Sequence, residues 1–318
     1  MFKTIKRRYW YLFKRIFVST NAVCDVCGKQ IKRSNVKVCS QSRLEVEQGA
    51  IIEQSTILLH EGAVLKIGKN AVIRYVKIDL RDAELGITDN VKIEGSSIIA
   101  FKQSTIRIGN SSFGKHVEII AEQSRVDIGN KVKLSNWKLM IEHDSSLNIG
   151  EAVVCEQGNY WCGPEWSISQ GALVTIDHHN RLRNKFWVRF GAQVKIGSYN
   201  CINEGSEIRA DERIEIGSYN MVSYNCRIWD TDTHCFYKDD TRRKMTEDMY
   251  PNIGVEKDKP KTKPITIGDD CLIGEGAVVL KGCEIGNKVK VGTRVIVSNI
   301  QVPDNSTVVG DKGKILKG

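Results

Sequence analysis

One histidine stands where this chain could carry out acid–base chemistry. His234 ends a segment that reads Ile-Trp-Asp-Thr-Asp-Thr-His, directly before a long polar stretch. Imidazole titrates near neutral pH and is the side chain best suited to remove a proton there. Asp230 and Asp232 are placed either to orient or polarise this imidazole or to accept hydrogen bonds from backbone N–H groups. The segment therefore predicts His234 as a general base.

Two other clusters hold residue types that bind metals. Cys24, Cys27 and Cys39 resemble half of a zinc knuckle, but tetrahedral zinc needs a fourth ligand and no second Cys-x-x-Cys follows. The alternative is a set of reduced cysteines near the cap of the fold. His178 and His179 have no third histidine at a plausible spacing, which argues against a three-histidine zinc site. We expect a site that requires no metal.

Composition narrows the class of protein. The 318 residues are 41% hydrophobic, with 27 glycines, 5 prolines and 10 scattered cysteines. Scattered cysteines without an export signal favour a reduced, cytoplasmic compartment, and no segment reaches the roughly 20 apolar residues of a membrane span. The net charge is +9, and residues 1–20 contain six basic residues and no acidic one. Positive and negative charges therefore nearly cancel in the rest of the chain. We expect no nucleic-acid partner.

An internal repeat dominates the remaining sequence. Isoleucine followed by Gly or another small or polar residue recurs at a nearly constant spacing, with one longer step before Ile176, at Ile67, Ile87, Ile108, Ile128, Ile149, Ile176, Ile196 and Ile216. After a much longer gap the steps return at Ile267, Ile273, Ile285 and Val291, spaced by multiples of six. β-Branched residues stack well between successive turns of a coil, and Gly or Asn suits its corners. A turn of three hexapeptides matches the distance from Ile267 to Ile285. The repeat predicts a parallel β-helix rather than a sandwich, because a sandwich has no reason to keep a constant period.

Three segments interrupt this repeat. Residues 1–22 are predicted as a basic amphipathic helix that either caps the first coil or lies on an anionic membrane surface. Residues 23–190 are predicted as an N-terminal extension of the β-helix, with an irregular aromatic segment at 155–190. Residues 191–318 form the predicted catalytic region. Its polar loop at 235–264 is longer than a simple connection between strands needs. Counting one turn of three hexapeptides from Ile216 places His234 at a corner one turn above that isoleucine, where the loop leaves.

The C-terminal third carries a family resemblance. It rests on Asp-Thr-His before a long loop, on the run from Pro264 to Gly286, and on Val302-Pro303 followed by Val308-Val309-Gly310. Residues 196–315 resemble the hexapeptide-repeat acyltransferases, especially the maltose and galactoside O-acetyltransferase group. The resemblance implies a left-handed parallel β-helix, a homotrimer, and acetyl-CoA bound as cosubstrate between neighbouring subunits.

The same resemblance implies roles for individual residues. His234 matches the catalytic base, and Asn203 and Asp211 match residues that contact the acceptor sugar. The Gly274-Glu275 backbone stands where an amide faces the developing oxyanion. The resemblance implies that Thr293, Ser298 and Asn299 line the pantetheine arm of acyl-CoA. It implies that Lys314 and Lys317 lie near the nucleotide phosphates. The alternatives are a corner-capping role for Asn203 and Asp211, and exposed coil for Ser298, Asn299 and the two lysines.

This sequence also departs from the family pattern. Leu272 replaces the tryptophan common in the family's Val-Trp-Ile-Gly step, and Ser298-Asn299 replaces a Thr-Lys pair. We expect an O-acetyltransferase that acts on a sugar hydroxyl of a surface polysaccharide or related glycan, in the cytoplasm or on the inner face of the membrane through residues 1–20. The alternatives are an N-acyltransferase on an amino sugar nucleotide and a non-catalytic β-helix with a decayed CoA site.

Overall fold

The computed structural model describes residues 15–26, 30–156, 165–252 and 258–310. They form a parallel β-helix of about 14 turns, as predicted. A representative turn contains β25 Cys201–Ile202, β26 Glu207–Ala210 and β27 Arg213–Ile216. We call the faces built on these strands the first, second and third faces. The first corner follows the first face, the second corner follows the second face, and the third corner closes the turn.

The strands before this turn follow one another in the same order of faces, and two strands of ten residues each continue from the first face into the second. The N-terminal strands are β1 Arg15–Val18, β2 Val23–Asp25, β3 Ile31–Lys32, β4 Asn35–Val38, β5 Arg43–Val46, β6 Ile51–Glu53, β7 Thr56–Leu59, β8 Val64–Ile67, β9 Val72–Arg74, β10 Lys77–Arg81, β11 Glu84–Ile87, β12 Lys92–Glu94, β13 Ser97–Phe101 and β14 Thr105–Ile108. The central strands are β15 Phe113–Glu122, β16 Arg125–Ile128, β17 Lys133–Glu142, β18 Ser146–Ile149, β19 Val154–Glu156, β20 Glu165–Ile168, β21 Leu173–Ile176, β22 Arg181–Leu182, β23 Lys185–Val188 and β24 Gln193–Ile196.

The strands after the representative turn continue the coil around one helical insertion. They are β28 Met221–Val222, β29 Arg227–Trp229, β30 Ile265–Ile267, β31 Leu272–Ile273, β32 Val278–Leu280, β33 Glu284–Ile285, β34 Lys290–Val291, β35 Ile296–Val297, β36 Gln301–Val302 and β37 Thr307–Val308. Helix α1, Asp239–Met249, lies in the insertion between β29 and β30. No helix in the part of the chain that the structure describes is long and apolar enough to cross a membrane.

The predicted isoleucine stack forms the third face. This face is a sheet of 13 parallel strands in which the isoleucine at each step pairs with that of the next turn, as Ile196 does with Ile216 and Ile216 with Ile267. The predicted steps at Ile273 and Val291 lie on the first face instead. Their side chains are buried. Burying one such side chain contributes roughly 1.5–3 kcal/mol, so the stack is a main source of the coil's stability.

Glycine follows these isoleucines because successive corners nearly touch. A Cβ at Gly217 would lie 2.8 Å from the carbonyl carbon of Gly268 in the next turn. A buried column of asparagines continues the same third corner: the backbone N–H of Asn200 donates to Asn180 Oδ1 and that of Asn220 donates to Asn200 Oδ1, each over 2.8 Å. The column satisfies backbone donors that would otherwise be buried without partners.

The structure corrects the boundary of the predicted N-terminal helix. Residues 1–14 lie outside the described part, but Arg15–Val18 is strand β1, paired in parallel with β4. Ile16 packs against the core. A helix through residue 20 is therefore wrong, because these residues extend the second face of the coil and bury an alternating side chain there. The membrane and capping hypotheses for residues 1–14 stay predictions.

The aromatic segment at 155–190 is more regular than predicted. Apart from 157–164, which lie outside the described residues, it consists of strands β19 to β23 in register with the turns on either side. Trp166 is fully buried, with its ring centroid 5.4 Å from that of Trp137 and 4.7 Å from that of Phe186. These rings replace β-branched residues in the interior stack, so the composition misled the sequence analysis.

Candidate active site at the base of the long loop

The long loop leaves the coil at the second corner. Thr231 pairs with Thr262 in an antiparallel bridge, and the backbone N–H of Lys263 donates to the carbonyl oxygen of Asp230 over 3.0 Å. These contacts bring the two ends of the loop together, and the coil resumes at β30. The position of this loop was predicted from the sequence, but helix α1 within it was not.

His234 is exposed at the base of this loop, shortly after the bridge. Its predicted place in the coil is wrong: Ile216 lies beneath Ile267 and not beneath residue 234. The count of one hexapeptide turn fails because the inserted loop occupies the corner before the next strand begins. The imidazole is nevertheless exposed, beside the corner that Asp230 fixes.

Asp230 takes the second of its two predicted roles. Its buried carboxylate accepts hydrogen bonds from the backbone N–H groups of Asp211 at 2.8 Å, Glu212 at 2.9 Å and Arg213 at 2.7 Å. Burial raises the pKa of Asp230 to about 6, although the three N–H donors act in the opposite direction. Asp230 therefore holds the corner of the preceding turn rather than the histidine.

Asp232 is tied to the turn above instead. Its carboxylate forms an ion pair with Lys281, and both side chains are about a quarter exposed. Beside this pair, Lys263 Nζ donates to Asn299 Oδ1 over 2.6 Å. Neither lysine was identified from the sequence. Both could have been found from the equal spacing of positions 263, 281 and 299, since each step is one turn of three hexapeptides.

Asp211 does not present its carboxylate to solvent. The residue is fully buried, and its two oxygens accept hydrogen bonds from Arg189 and from the Thr231 hydroxyl. Asp211 is therefore not placed to contact an acceptor directly, and its hydrogen bonds fit the corner-capping alternative. Asn203 is half-buried and donates from Nδ2 to the carbonyl oxygen of Val222 over 3.2 Å, which is also a capping contact.

The predicted oxyanion and pantetheine residues fall at two different corners. Gly274, Glu275 and Thr293 lie at the first corner, above Asn203, whereas Ser298 and Asn299 lie at the second corner above the loop base. A strand of the second face separates the two corners, a distance of roughly 10 Å or more. Within one copy of the chain, Gly274 and Glu275 therefore lie a strand's length from the corner where the loop that carries His234 leaves the coil.

The first corner is tightly packed. The Gly274 N–H donates to the carbonyl oxygen of Val291 over 2.8 Å, and a Cβ at Gly274 would lie 2.6 Å from the Thr293 nitrogen. The Gly274 amide is therefore used within the coil, which leaves the Glu275 amide for the predicted oxyanion contact. The predicted phosphate contacts, Lys314 and Lys317, lie outside the described residues.

The outer surface of the second face carries an aromatic and cationic column that the sequence analysis did not identify. The Arg209 guanidinium carbon lies 4.1 Å from the ring centroid of Trp187 and 4.9 Å from that of Trp229. These residues follow one another in register on β23, β26 and β29, next to the loop base. Trp187 is 41% exposed. The column gives the second face, next to the corner where the loop leaves, exposed ring surface and a guanidinium that also pairs with Glu207.

The metal hypotheses find no support among the described residues. They contain no group of three or more His, Cys, Asp and Glu side chains placed to hold a metal ion. Cys24 lies in β2, where burial raises the pKa of its thiol to about 11, and Cys27 lies outside the described residues. His178 and His179 pack instead against Tyr199, with ring centroids 5.5 and 5.0 Å away.

Known proteins resemble parts of this chain. Residues 264–299 match the family described as bacterial transferase hexapeptide (six repeats). Serine acetyltransferases of Bacillus pumilus (strain SAFR-032) and Bacillus subtilis (strain 168) are each 44% identical over 63 residues, which are 20% of this chain and 28% of theirs. The chain thus spans little more than a quarter of the length of these curated relatives.

Two solved structures align over more of the chain at lower similarity. The polySia-specific acetyltransferase NeuO is 16% identical, with 77% of this chain and 86% of that chain covered and a TM-score of 0.42. The polysialic acid O-acetyltransferase OatWY is 17% identical, with coverages of 82% and 92% and a TM-score of 0.28. The hexapeptide match covers the coils directly after the loop that carries His234. Residues 264–299 are thus similar to the repeats of the hexapeptide transferases.

Proposed function

We propose that the protein is an O-acetyltransferase that moves an acetyl group from acetyl-CoA to a sugar hydroxyl in surface polysaccharide or glycan biosynthesis. The observation that carries the proposal is the position of His234: it is exposed at the base of a loop, directly before the coils that match the hexapeptide transferases. The serine acetyltransferases similar to part of this chain also support transfer of an acetyl group to a small acceptor.

The chemistry assigned to His234 is that of a general base. Its imidazole removes the proton of the acceptor hydroxyl while the oxygen attacks the thioester carbonyl. The new C–O bond forms, the C–S bond then breaks, and the imidazolium returns its proton to the leaving thiolate of CoA. A backbone N–H such as that of Glu275 stabilises the negative charge on the carbonyl oxygen in the tetrahedral intermediate.

The separation of the two corners supports a homotrimer as part of this proposal. His234 and the Glu275 amide need to face the same thioester, and within one chain a strand of the second face stands between their corners. Residues at different corners of one solenoid meet when the second corner of one copy packs beside the first corner of another. Acetyl-CoA would then lie in the groove between two copies.

The surface next to the loop base suits a sugar acceptor. Trp187 and Trp229 supply apolar ring surface, and Arg209 between them supplies hydrogen-bond donors. The same surface would also accept an amino sugar nucleotide, so the acceptor class has to be measured. We propose a cytoplasmic location because the buried thiols of Cys155, Cys226, Cys271 and Cys283 suit a reducing compartment.

The proposal is tested with the purified full-length chain, acetyl-CoA and a panel of acceptors. The panel contains neutral and acidic oligosaccharides, amino sugar nucleotides and L-serine, and acetylated products are identified by mass spectrometry. We expect O-acetylation of a saccharide. Transfer only to an amine or only to serine would replace the proposed acceptor. Absence of CoA binding in calorimetry at tens of micromolar would overturn the enzyme proposal and favour a scaffold with a decayed site.

A further inference from the structure

We propose that Asp211 is a positioning residue that acts through Thr231, with Arg189 holding Asp211 in place, to fix the chain segment that presents His234. The inference rests on the proposed function only for the role of His234 as a base. It differs from the acceptor contact that the family resemblance implies for Asp211.

The contacts form a continuous path. Arg189 donates from Nε to Asp211 Oδ1 over 3.0 Å and from Nη2 to Oδ2 over 2.9 Å. The Thr231 hydroxyl donates to Asp211 Oδ2 over 2.7 Å and accepts a hydrogen bond from the backbone N–H of Thr233 over 3.1 Å. The path therefore ends on the peptide unit between Asp232 and Thr233, one residue before His234.

The first part of this path is rigid. Asp211 is fully buried, and Arg189 is buried as well, with its guanidinium carbon 5.0 Å from the ring centroid of Trp187 and 4.9 Å from that of Phe190. The backbone N–H of Asp211 is also fixed, because it donates to Asp230. A buried two-pronged ion pair has one favoured geometry, so the Thr231 hydroxyl meets an acceptor at a fixed place.

The last part of the path explains an unusual backbone conformation. Thr233 has a φ of 66°, in the left-handed region that β-branched residues rarely adopt. Such a conformation persists only where surrounding contacts hold it, and the bond from the Thr233 N–H to Thr231 Oγ1 is such a contact. This turn sets the direction in which the chain enters His234.

The burial of Asp211 favours a positioning role over direct binding of the acceptor. A side chain that touches the acceptor needs an exposed polar atom, and Asp211 has no exposed surface. Loss of a direct contact would raise the KM for the acceptor. Loss of a positioning contact would lower kcat instead, because the base is displaced from the reacting hydroxyl while the acceptor still binds.

The test uses Thr231→Val in the full-length chain, because valine keeps the shape of threonine and removes both hydrogen bonds of the hydroxyl. Ser104→Ala is the matched control, since the buried Ser104 hydroxyl also donates once, to the carbonyl oxygen of Phe101, and accepts once, from the N–H of Ser124. We expect kcat for acetyl transfer to fall about 10–100-fold in Thr231→Val, with the acceptor KM within about twofold. Thr231→Ser should restore most of the rate.

A second measurement does not depend on activity. Hydrogen–deuterium exchange of peptides covering residues 231–238 should be faster in Thr231→Val than in wild type, and unchanged in Ser104→Ala. Unchanged exchange, or a raised acceptor KM with an unchanged kcat, would overturn the positioning role. If the wild-type protein acetylates no acceptor, the proposed function fails, and the exchange experiment still decides whether Thr231 orders the segment.

Discussion

Arg189 and Asp211 form a two-pronged ion pair inside the wall of the β-helix, with nitrogen–oxygen distances of 3.0 and 2.9 Å. Asp211 lies one turn below the bridge at which the loop leaves and Arg189 lies two turns below it, so the corner before His234 rests on a buried ion pair. Removing one partner leaves the other charge buried without compensation.

Asp211→Ala should lower the free energy of unfolding by about 3–5 kcal/mol, measured by urea denaturation of the full-length protein. Glu84→Ala is the control, because it removes the exposed ion pair with Lys66, whose nitrogen–oxygen distance is 3.4 Å. This control should change stability by at most about 1 kcal/mol. Equal effects of the two variants would contradict the role assigned to the buried pair.

Asp230 should make stability depend on pH in a defined direction. Burial raises its pKa from 3.8 to about 6 in the folded protein, so between these values the folded state holds a proton that the unfolded state lacks. The contribution of Asp230 to the free energy of unfolding therefore increases as pH falls from 7 to 5 and is smallest above about pH 6.

Asp230→Asn isolates this effect because asparagine does not titrate in this range. Denaturation at pH 7 and pH 5 should show the wild type gaining stability relative to the variant at the lower pH. A difference that stays constant between the two pH values, or moves the other way, would show that the carboxyl group is not the source.

The asparagine column should be needed for the third corner. Asn200→Ala removes the acceptor for the Asn220 N–H and the two Nδ2 donations, to the carbonyl oxygens of Gly197 and Gly217, each over 2.9 Å. We expect a loss of about 1–3 kcal/mol in thermal or urea unfolding, because buried backbone groups lose their partners. The outward-facing Asn148, changed to alanine, should leave stability nearly unchanged; a comparable loss there would contradict the argument.

Gly274 should tolerate no side chain. In Gly274→Ala the new Cβ would lie 2.6 Å from the backbone nitrogen of Thr293, so the first corner has to open. A lower melting temperature and weaker CoA binding in calorimetry are expected. Gly86→Ala is the control, because its Cβ would meet nothing closer than the Ile106 carbonyl oxygen at 4.0 Å. A normal melting temperature for Gly274→Ala would contradict the close packing.

The periodic part of the fold was predictable from the sequence. The isoleucines from Ile67 to Ile216 recur at a nearly constant spacing because each occupies the same place in successive turns, and the register confirms this. The loop after residue 231 was predictable for the same reason, since a long gap in a strict repeat indicates an insertion.

The site was predictable only in part, because its details depend on contacts between turns. The burial of Asp211 follows from its pairing with Arg189 in the preceding turn, which no local pattern indicates. The count that placed His234 above Ile216 failed because position 234 falls inside the inserted loop, and the strand that pairs with Ile216 begins only at Ile265. The strand β1 was mistaken for helix because Ile16 and Phe17 fit both an apolar helix face and a strand of the coil.

The most direct test of the central claim is acetyl transfer by His234→Ala, compared with wild type on an acceptor identified in the panel. The account predicts a variant with wild-type melting temperature and oligomeric state whose rate of transfer is lower by about 100-fold or more. The same preparation should still bind CoA in calorimetry. A rate within a few-fold of wild type would contradict the assignment of His234 as the base and, with it, the proposed site at the base of the loop.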